Sequence, residues 1–488
     1  MSYSRFAAAD LGATSGRVIV GTLADGRFAL EEVNRFPTPG LEIDGHLHWD
    51  AEKVREYIRD GLRRATATEP LDGVGVDTWG VDHARLRADG TLSEPPYSYR
   101  DNRTNGVPEA FFEAFPAEKL YGQCGLQVME FNTVFQYAAA ATDPGWAEVA
   151  WSLLLPDLFT YWLTGAHQAE LTHASTSGLL DVSARAWSRV TLDHLRDHYG
   201  LDLYHRLPGI VTPGTVVGPV TDPAAAGTPM VAVGSHDTAS AIVAVPAASR
   251  RFAYISSGTW SLVGLELDHP ILTEASRAAN FTNELGVDGT VRYLRNVMGL
   301  WVLTQCQATW GADAPDLPAL LDDAASRTPL RTVVDMEDAR LIPPGDMPAR
   351  LADMARETGQ PVPTTPAEYT RCILDSLALD YRRIIQSACD LAGTTVDVIH
   401  VVGGGCRNRL LNQLTAEATG LTVIAGPAEG TALGNMLVQA RAVGALAGDL
   451  TDLRKVARAS SRLEQYTPGA LGLTPHQWDS AAQRIWTT

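Results

Sequence analysis

Two stretches built to one plan, half a chain apart, constrain this fold most. The first starts with the apolar run Phe6-Ala7-Ala8-Ala9, passes through Asp10-Leu11-Gly12-Ala13-Thr14-Ser15-Gly16-Arg17 and returns in Val18-Ile19-Val20-Gly21-Thr22. The second runs from Arg251-Phe252-Ala253-Tyr254-Ile255 through Ser256-Ser257-Gly258-Thr259-Trp260-Ser261 into Leu262 to Leu267. Each reads as strand, small hydroxyl-and-glycine turn, strand. After the first, Ala24-Asp25-Gly26 supplies hairpin-turn chemistry before a third strand, Arg27 to Val33. A chain of 488 residues has room for more than one compact unit. The repeat predicts a duplicated α/β architecture divided into residues 1–245 and 246–488.

The small residues of the first turn let a phosphate approach backbone N–H groups, while Thr14, Ser15 and Arg17 can donate to its oxygens. The turn lacks the Gly-Lys-Thr ending and following helix of a Walker loop. A tight hairpin with Asx-type bonding is the alternative reading.

Near the midpoint, Met230-Val231-Ala232-Val233 reads as a buried strand, followed by Gly234-Ser235-His236-Asp237-Thr238 and a small-residue helix over Ala239 to Ala247. Strand-to-helix junctions of this kind lie at the carboxyl edge of α/β sheets, where ligands bind. An aspartate there, with an ordinary pKa near ~3.9, is ionised at neutral pH and can take a proton. Alternatively, Asp237 and Thr238 cap the helix.

Other stretches carry polar groups to strand ends. Asp72 to Asp77 reads as a strand, Thr78-Trp79-Gly80 as a turn, and Val81 to Leu86 as the returning strand. Asp77, Asp82 and Trp79 resemble one wall of a sugar site, or else a packed tryptophan beside two solvated acids. Residues 109 to 205 are mostly helical in pattern, an insertion suited to shaping specificity. Asn296 to Trp301 opens an apolar helix with Asn296 at its start, and residues 312 to 366 read as loops with short helices. Thr365-Pro366-Ala367-Glu368 fits a capping box before a helix striped by Tyr369, Ile373, Leu377, Tyr381 and Ile384. Val398 to Val402 is a strand ending in Gly403-Gly404-Gly405, and a helix follows over Cys406 to Thr419. Three glycines there clear room for a flat ligand, or serve close helix–sheet packing.

Charge and cysteine usage narrow the partners. Lys and Arg number 39 against 57 Asp and Glu, a formal net charge of −18. That balance argues against sequence-independent binding to nucleic acid or anionic membrane. No apolar stretch has the length of a membrane span, and Met1 to Arg5 leads into strand-like sequence without a signal-peptide plan. The 5 cysteines are scattered, with no Cys-x-x-Cys, so neither zinc nor a disulfide framework is expected. A reduced, cytoplasmic protein is the expectation.

Taken together, these stretches resemble the FGGY family of sugar kinases from Asp10 to about Asn435. The passages that carry the resemblance are Asp10 to Arg17, Gly75 to Asp82, Tyr99 to Thr104, His236 to Ser240, Ser257 to Ser261, Asn280 to Glu284, Asn296 to Trp301, Val402 to Asn408 and the Ala-Leu-Gly-Asn run ending at Asn435. The resemblance implies two actin-like, ribonuclease-H-like domains with an interdomain cleft and helical insertions. It implies transfer of the γ-phosphoryl group of ATP to the 1-hydroxyl of L-rhamnulose, with fuculose, ribulose or xylulose as alternative ketoses. By the same resemblance Asp237 is the catalytic base, and His236, Thr238, Gly80 and Asn296 bind sugar. Ala13, Thr14, Ser15, Gly16 and Arg17 form the first phosphate hairpin, Thr259 lies in the second, and Gly404 belongs to the adenosine side. Asp10 is assigned to Mg²⁺, through water. Position 304 departs from the pattern, Thr304 standing where close relatives tend to carry glutamine. Sugar and ATP are the expected partners, with no nucleic acid or membrane, in a monomer or small homo-oligomer. Two other readings of the fold class remain: a nuclease holding two metals on Asp10, Asp77, Asp82 and Asp237, and a non-catalytic actin-like ATP-binding scaffold.

Overall fold

The computed structural model describes residues 3–311 and 314–486, so expectations touching Met1, Ser2, Ala312 and Asp313 lie outside it. The chain divides into two compact units. Unit one comprises Met1–Ala248, Glu266–Tyr293 and Gly430–Ser460, and unit two comprises Ser249–Leu265, Leu294–Glu429 and Ser461–Thr488. The long first segment of unit one ends at Ala248, close to the expected division at 245, and two segments of the second half also belong to unit one.

In unit one, β1 (Ser4–Leu11), β2 (Ser15–Ala24) and β3 (Arg27–Pro37) form an antiparallel meander. Helix α1 (Ala51–Thr66) follows, started by Asp50, whose side chain accepts from the Lys53 N–H. Then β4 (Gly73–Thr78) pairs in parallel with β1. Later, β5 (Thr215–Pro219) pairs antiparallel with β6 (Pro229–Ala232), and β6 is parallel to β4. The sheet order is β3-β2-β1-β4-β6-β5.

Alternation along β1 sends Ala7, Ala9 and Leu11 to one face and Phe6 and Ala8 to the other. The first face is covered by α1 through Val54, Ile58, Leu62 and Ala65. The second is covered by the Gly430–Ala442 helix through Leu433, Met436, Leu437 and Ala440. This packing explains why a late segment joins unit one. Helix α2 (Asp237–Val243) packs beside that helix so closely that a Cβ on Gly434 would lie 1.8 Å from the Ser240 carbonyl oxygen. The α2 helix starts and ends earlier than the sequence pattern suggested. The helical insertion carries its own core around Phe111, Phe115, Val134, Phe135, Leu192 and Leu195.

In the second sheet, β7 (Phe252–Ser257) and β8 (Ser261–Leu267) make the second hairpin. Next come β9 (Val291–Val297), α3 (Trp301–Trp310) and α4 (Pro366–Ala392). They are followed by β10 (Val398–Val402), α5 (Arg409–Thr419), β11 (Thr422–Ala425) and β12 (Glu464–Tyr466). Among the described residues the sheet has seven strands, with Thr282–Leu285 at one edge followed in order by β9-β8-β7-β10-β11-β12. As in unit one, a central hairpin is flanked by two parallel strands and an antiparallel edge. The duplication read from the two hairpins is therefore a duplication of sheet topology.

Three local expectations change. Residues 83–86 do not return along β4 but pair with Trp151–Leu154, because a sharp backbone turn at Val81 redirects the chain. Asn296 lies on β9 and not at a helix start. Thr365 caps α4 as expected, but the Glu368 carboxylate reaches back to the Thr364 N–H and hydroxyl. The five cysteines are free, and among the described residues no helix is long and apolar enough to cross a membrane.

The close contact at Gly434 yields a paired prediction. Gly434→Ala should cost about 1–3 kcal/mol, the range for overpacking against fixed backbone. Gly122→Ala, in the Ala117–Cys124 helix with open space at its Cβ, should stabilise by roughly 0.5–1 kcal/mol. Urea unfolding of the two variants should show shifts of opposite sign.

Candidate active site

The β1–β2 ladder continues through Asp10↔Arg17 and Leu11↔Gly16, leaving Gly12, Ala13 and Thr14 as the turn. Gly12 N–H donates to the Ser15 carbonyl at 3.1 Å, and the Thr38 hydroxyl anchors the Gly12 carbonyl at 2.7 Å. Gly16 is required by packing, since a Cβ there would sit 2.4 Å from the Phe36 ring. Thr14 and Ser15 are exposed. Arg17 is engaged on its own hairpin, its Nε and Nη2 donating to Asp10 Oδ2 at 3.0 and 2.8 Å.

Register places Asp10 between Arg17 on β2 and Asp77 on β4. Asp77 is fully buried and accepts from Asn435 Nδ2 at 2.5 Å, while its Oδ1 has no hydrogen-bond partner. Burial first, then the Asp10 charge, push the Asp77 carboxyl well above the usual carboxylate range, with the Asn435 hydrogen bond opposing. Gln439 fixes the Asn435 amide by donating to its Oδ1 at 2.6 Å.

Asp237 is the first residue of α2, and the preceding His236 makes no side-chain cap. Asp237 is thus not itself the N-cap residue, although its carboxylate takes one N–H of the first turn, that of Thr238. About a third of the Asp237 side chain, 32%, stays exposed. Its Oδ1 accepts from the Thr238 N–H at 2.5 Å and hydroxyl at 3.1 Å, and lies 3.4 Å from His236 Nε2. Burial raises its pKa, and Asp10 pushes the same way, against His236 and Thr238. The result is a partly open carboxylate with raised proton affinity, the combination a general base needs.

The Gly234–His236 loop that presents Asp237 is held by Glu170. This buried carboxylate accepts from the Ser235 N–H and hydroxyl through Oε2, at 3.0 and 2.7 Å. It also takes three donors from Thr172 and His173. Nothing in the sequence marked Glu170, which sits in an unremarked part of the insertion. Gly80 borders the same loop, a Cβ there falling 3.4 Å from His236 Nε2.

Asp82 is neither an open sugar wall nor a solvated acid. It is fully buried, and four donors converge on it: the indole N–H groups of Trp49 and Trp79 at 2.6 and 2.8 Å, the Tyr99 N–H at 3.3 Å and Gln136 at 3.0 Å. Burial outweighs these bonds and lifts its pKa to about 6. Between Asp82 and Gly80, Val81 adopts φ 72°, and the Asp82 N–H closes a γ-turn on the Gly80 carbonyl at 3.0 Å. A β-branched residue in that conformation is strained. The Thr133 hydroxyl, donating to the Val81 carbonyl at 2.5 Å, helps hold it.

In unit two, Thr259 is exposed at the β7–β8 turn. Carbonyls of Gly258 and Thr259 accept the first N–H groups of the Leu300–Trp301 segment, at 3.3 and 3.0 Å. A pocket of about 700 Å³ is lined by Leu300, Leu303, Thr304, Gly404, Arg407 and Asn408 among others. The three glycines divide their work. A Cβ on Gly403 or Gly405 would strike Ser257 at 2.9 or 2.0 Å, whereas one on Gly404 would meet nothing within 4 Å. Close packing thus explains the outer pair, and the middle glycine opens on the pocket. The Thr304 hydroxyl is turned back to the Leu300 carbonyl at 3.1 Å. Asn296 is half-buried on β9.

Asp10, Asp77 and Asp237 each offer carboxylate oxygens, a ligand type that suits Mg²⁺, although nitrogens of Arg17, Asn435 and His236 stand against them. Arg17 occupies one oxygen of Asp10, and Asp77 keeps a buried, unpartnered Oδ1.

Residues 6–244 match the N-terminal domain, and residues 253–443 the C-terminal domain, of the FGGY family of carbohydrate kinases. A rhamnulokinase of Bacteroides thetaiotaomicron is 41% identical over 487 residues, covering 98% of this chain and 97% of that protein. A rhamnulokinase of Pectobacterium carotovorum is 41% identical over 476 residues, covering 96% and 94%. Among solved structures, gluconate kinase from Lactobacillus acidophilus superimposes with TM-score 0.79 at 15% identity, covering 99% of this chain and 96% of that one. Plasmodium falciparum glycerol kinase with ADP does so with TM-score 0.79 at 12% identity, covering 99% of both. The fold is thus the pair of actin-like, ribonuclease-H-like domains.

The buried charge of Asp82 has a measurable consequence. Its folded-state pKa of about 6 exceeds the unfolded value near ~3.9, so its neutral form is favoured by folding and its contribution falls as pH rises from 4 to 6. In urea titrations the cost of Asp82→Asn should therefore shrink between pH 4.5 and pH 7, by about 2 kcal/mol. An unchanged difference would contradict the assignment.

Proposed function

We propose that this chain, which belongs to the FGGY family of carbohydrate kinases, transfers the γ-phosphoryl group of ATP to the 1-hydroxyl of L-rhamnulose, giving L-rhamnulose 1-phosphate and ADP. Rhamnulokinases about 40% identical over nearly their whole length support this ketose and a role in L-rhamnose breakdown. Family membership also sets aside the nuclease and the non-catalytic scaffold.

The observation that carries the mechanism is Asp237: a partly open carboxylate at the start of a helix, its proton affinity raised by burial. In phosphoryl transfer most catalysis is positioning and charge stabilisation, with one base for the attacking hydroxyl. Asp237 takes that proton, while His236, Thr238, Gly80 and Asn296 hold the sugar. The N–H groups of the Ala13–Arg17 hairpin, with the Thr14 and Ser15 hydroxyls, receive phosphate oxygens, and Thr259 does so on the second hairpin. Gly404 and Thr304 take the nucleotide, Gly404 by leaving its pocket wall bare. Asp10 would hold Mg²⁺ through water, and the ion supplies positive charge to the phosphate oxygens when bound. The reaction belongs to the cytoplasm, carried out by a monomer or small homo-oligomer.

A panel of L-rhamnulose, fuculose, ribulose and xylulose with MgATP, followed by ADP release, tests the reading. L-rhamnulose should give the highest kcat/KM. Asp237→Asn should lower kcat by at least ~10²-fold, the scale of a lost general base. Because the base acts deprotonated, wild-type kcat/KM should rise with pH through a limb above the ordinary aspartate value of ~3.9, and the variant should lack that limb. Preference for another ketose would overturn the substrate, and full activity in the variant would overturn the mechanism.

A further inference from the structure

His236 sits in a charged setting that neither the hairpins nor the loop requires. Its Nδ1 has two neighbours of opposite character, Arg292 Nη1 at 3.1 Å and Glu284 Oε2 at 3.2 Å, themselves paired at 2.8 Å. The two residues come from adjacent strands, Thr282–Leu285 and β9. Arg292 is fully buried, and its Nε and Nη2 both donate to the Leu285 carbonyl, at 3.2 and 3.1 Å, so the guanidinium is fixed in place. On the far side of the ring, Nε2 is 3.4 Å from Asp237 Oδ1.

A guanidinium only donates and an ionised carboxylate only accepts. In a neutral ring Nδ1 therefore either receives a hydrogen from Arg292 or gives one to Glu284, and the choice decides which nitrogen faces the site with a proton. The Arg292 contact, at 3.1 Å, meets hydrogen-bond geometry, and Glu284 Oε2, 2.8 Å from the same guanidinium nitrogen and 3.2 Å from Nδ1, serves as an ion-pair partner. Burial alone would raise the Glu284 pKa, but the Arg292 guanidinium holds it below the usual carboxylate range, so it remains the counter-charge that a buried arginine needs. His173, whose ring lies 5.9 Å from that of His236, is kept neutral because burial pushes its pKa down to about 3. It supplies no competing cation.

We propose that Arg292 is a positioning residue that fixes neutral His236 as the Nε2–H tautomer, with Glu284 as its charge partner. The ring then donates on the side where Asp237 and Gly80 stand. That proton orients the Asp237 carboxylate and is available to a sugar oxygen. The opposite tautomer would set an imidazole lone pair against the carboxylate. This deepens the kinase reading above and rests on it for its catalytic meaning.

The tautomer is read directly from long-range ¹H–¹⁵N correlations of histidine-labelled full-length protein at pH 8.5, with His236 assigned by its loss in His236→Asn. The expected result is a protonated Nε2 and a bare Nδ1 in the wild type, unchanged in Arg292→Lys, which keeps donor and charge. In Arg292→Met the proton should move to Nδ1. The kcat of that variant should fall about 10–100-fold, the scale for losing a group that orients an imidazole, with KM for ATP within about twofold and Arg292→Lys restoring most of kcat. A wild-type Nδ1–H tautomer overturns the proposal even if Arg292→Met does not fold, and so does an Arg292→Met variant with full kcat. The two readings separate cleanly. Failure of the wild type to phosphorylate any ketose removes the function and leaves the tautomer result standing, whereas an Nδ1–H ring in a fully active enzyme removes only this inference.

Discussion

Asp10 and Asp77 stand side by side on neighbouring parallel strands, where the spacing is about 4.8 Å, and their repulsion governs how this end of unit one is built. Two like charges so close are tolerated only if one is neutral or both are compensated. The structure uses a division of labour. Arg17 takes Asp10 from the next strand, and Asn435 takes Asp77 from a helix. Burial raises the proton affinity of Asp77, while Asp10 is paired with the Arg17 cation. Asp237, the third acid, feels the Asp10 charge as well, and its raised proton affinity comes partly from it.

This arrangement depends on a helix supplied more than 350 residues later, Asn435 and Asp77 being 358 positions apart. Glycine makes the reach possible. Gly434 lets the helix backbone approach α2, and Gly75 leaves room for the Asn435 amide, which a Cβ would meet at 2.5 Å. Fold and chemistry are joined here, because the helix that closes one face of the unit-one sheet also supplies the hydrogen-bond donor to the buried acid on β4. The same economy appears at Glu170 and Asp82, buried carboxylates that spend their oxygens on shaping the loops around His236 and Gly80.

Much of this was legible in the residues. The two hairpins announced the duplicated sheets, because alternating or continuous apolar runs around a small turn have few other ways to fold. Asp237 stood out from its place after a buried strand, and Gly404 from its glycine neighbours. What stayed hidden were contacts set by distance in sequence. Glu170 and Arg292 lie in stretches whose local pattern says only helix or strand, and nothing local links Asn435 to Asp77. Asp82 misled for a related reason: its four donors come from four separate segments, so its burial follows only from the assembled fold. The turn at Val81 was equally unreadable, since valine rarely takes a positive φ and does so here only because neighbouring side chains hold it.

The account turns on Asp237 as the group that takes the hydroxyl proton. A crystal structure with L-rhamnulose and a non-hydrolysable ATP analogue tests this most directly. The account predicts an Asp237 carboxylate oxygen within about 2.6–3.2 Å of the C1 hydroxyl. A sugar bound with its C1 hydroxyl turned from Asp237, or placed beside some other base, would contradict it.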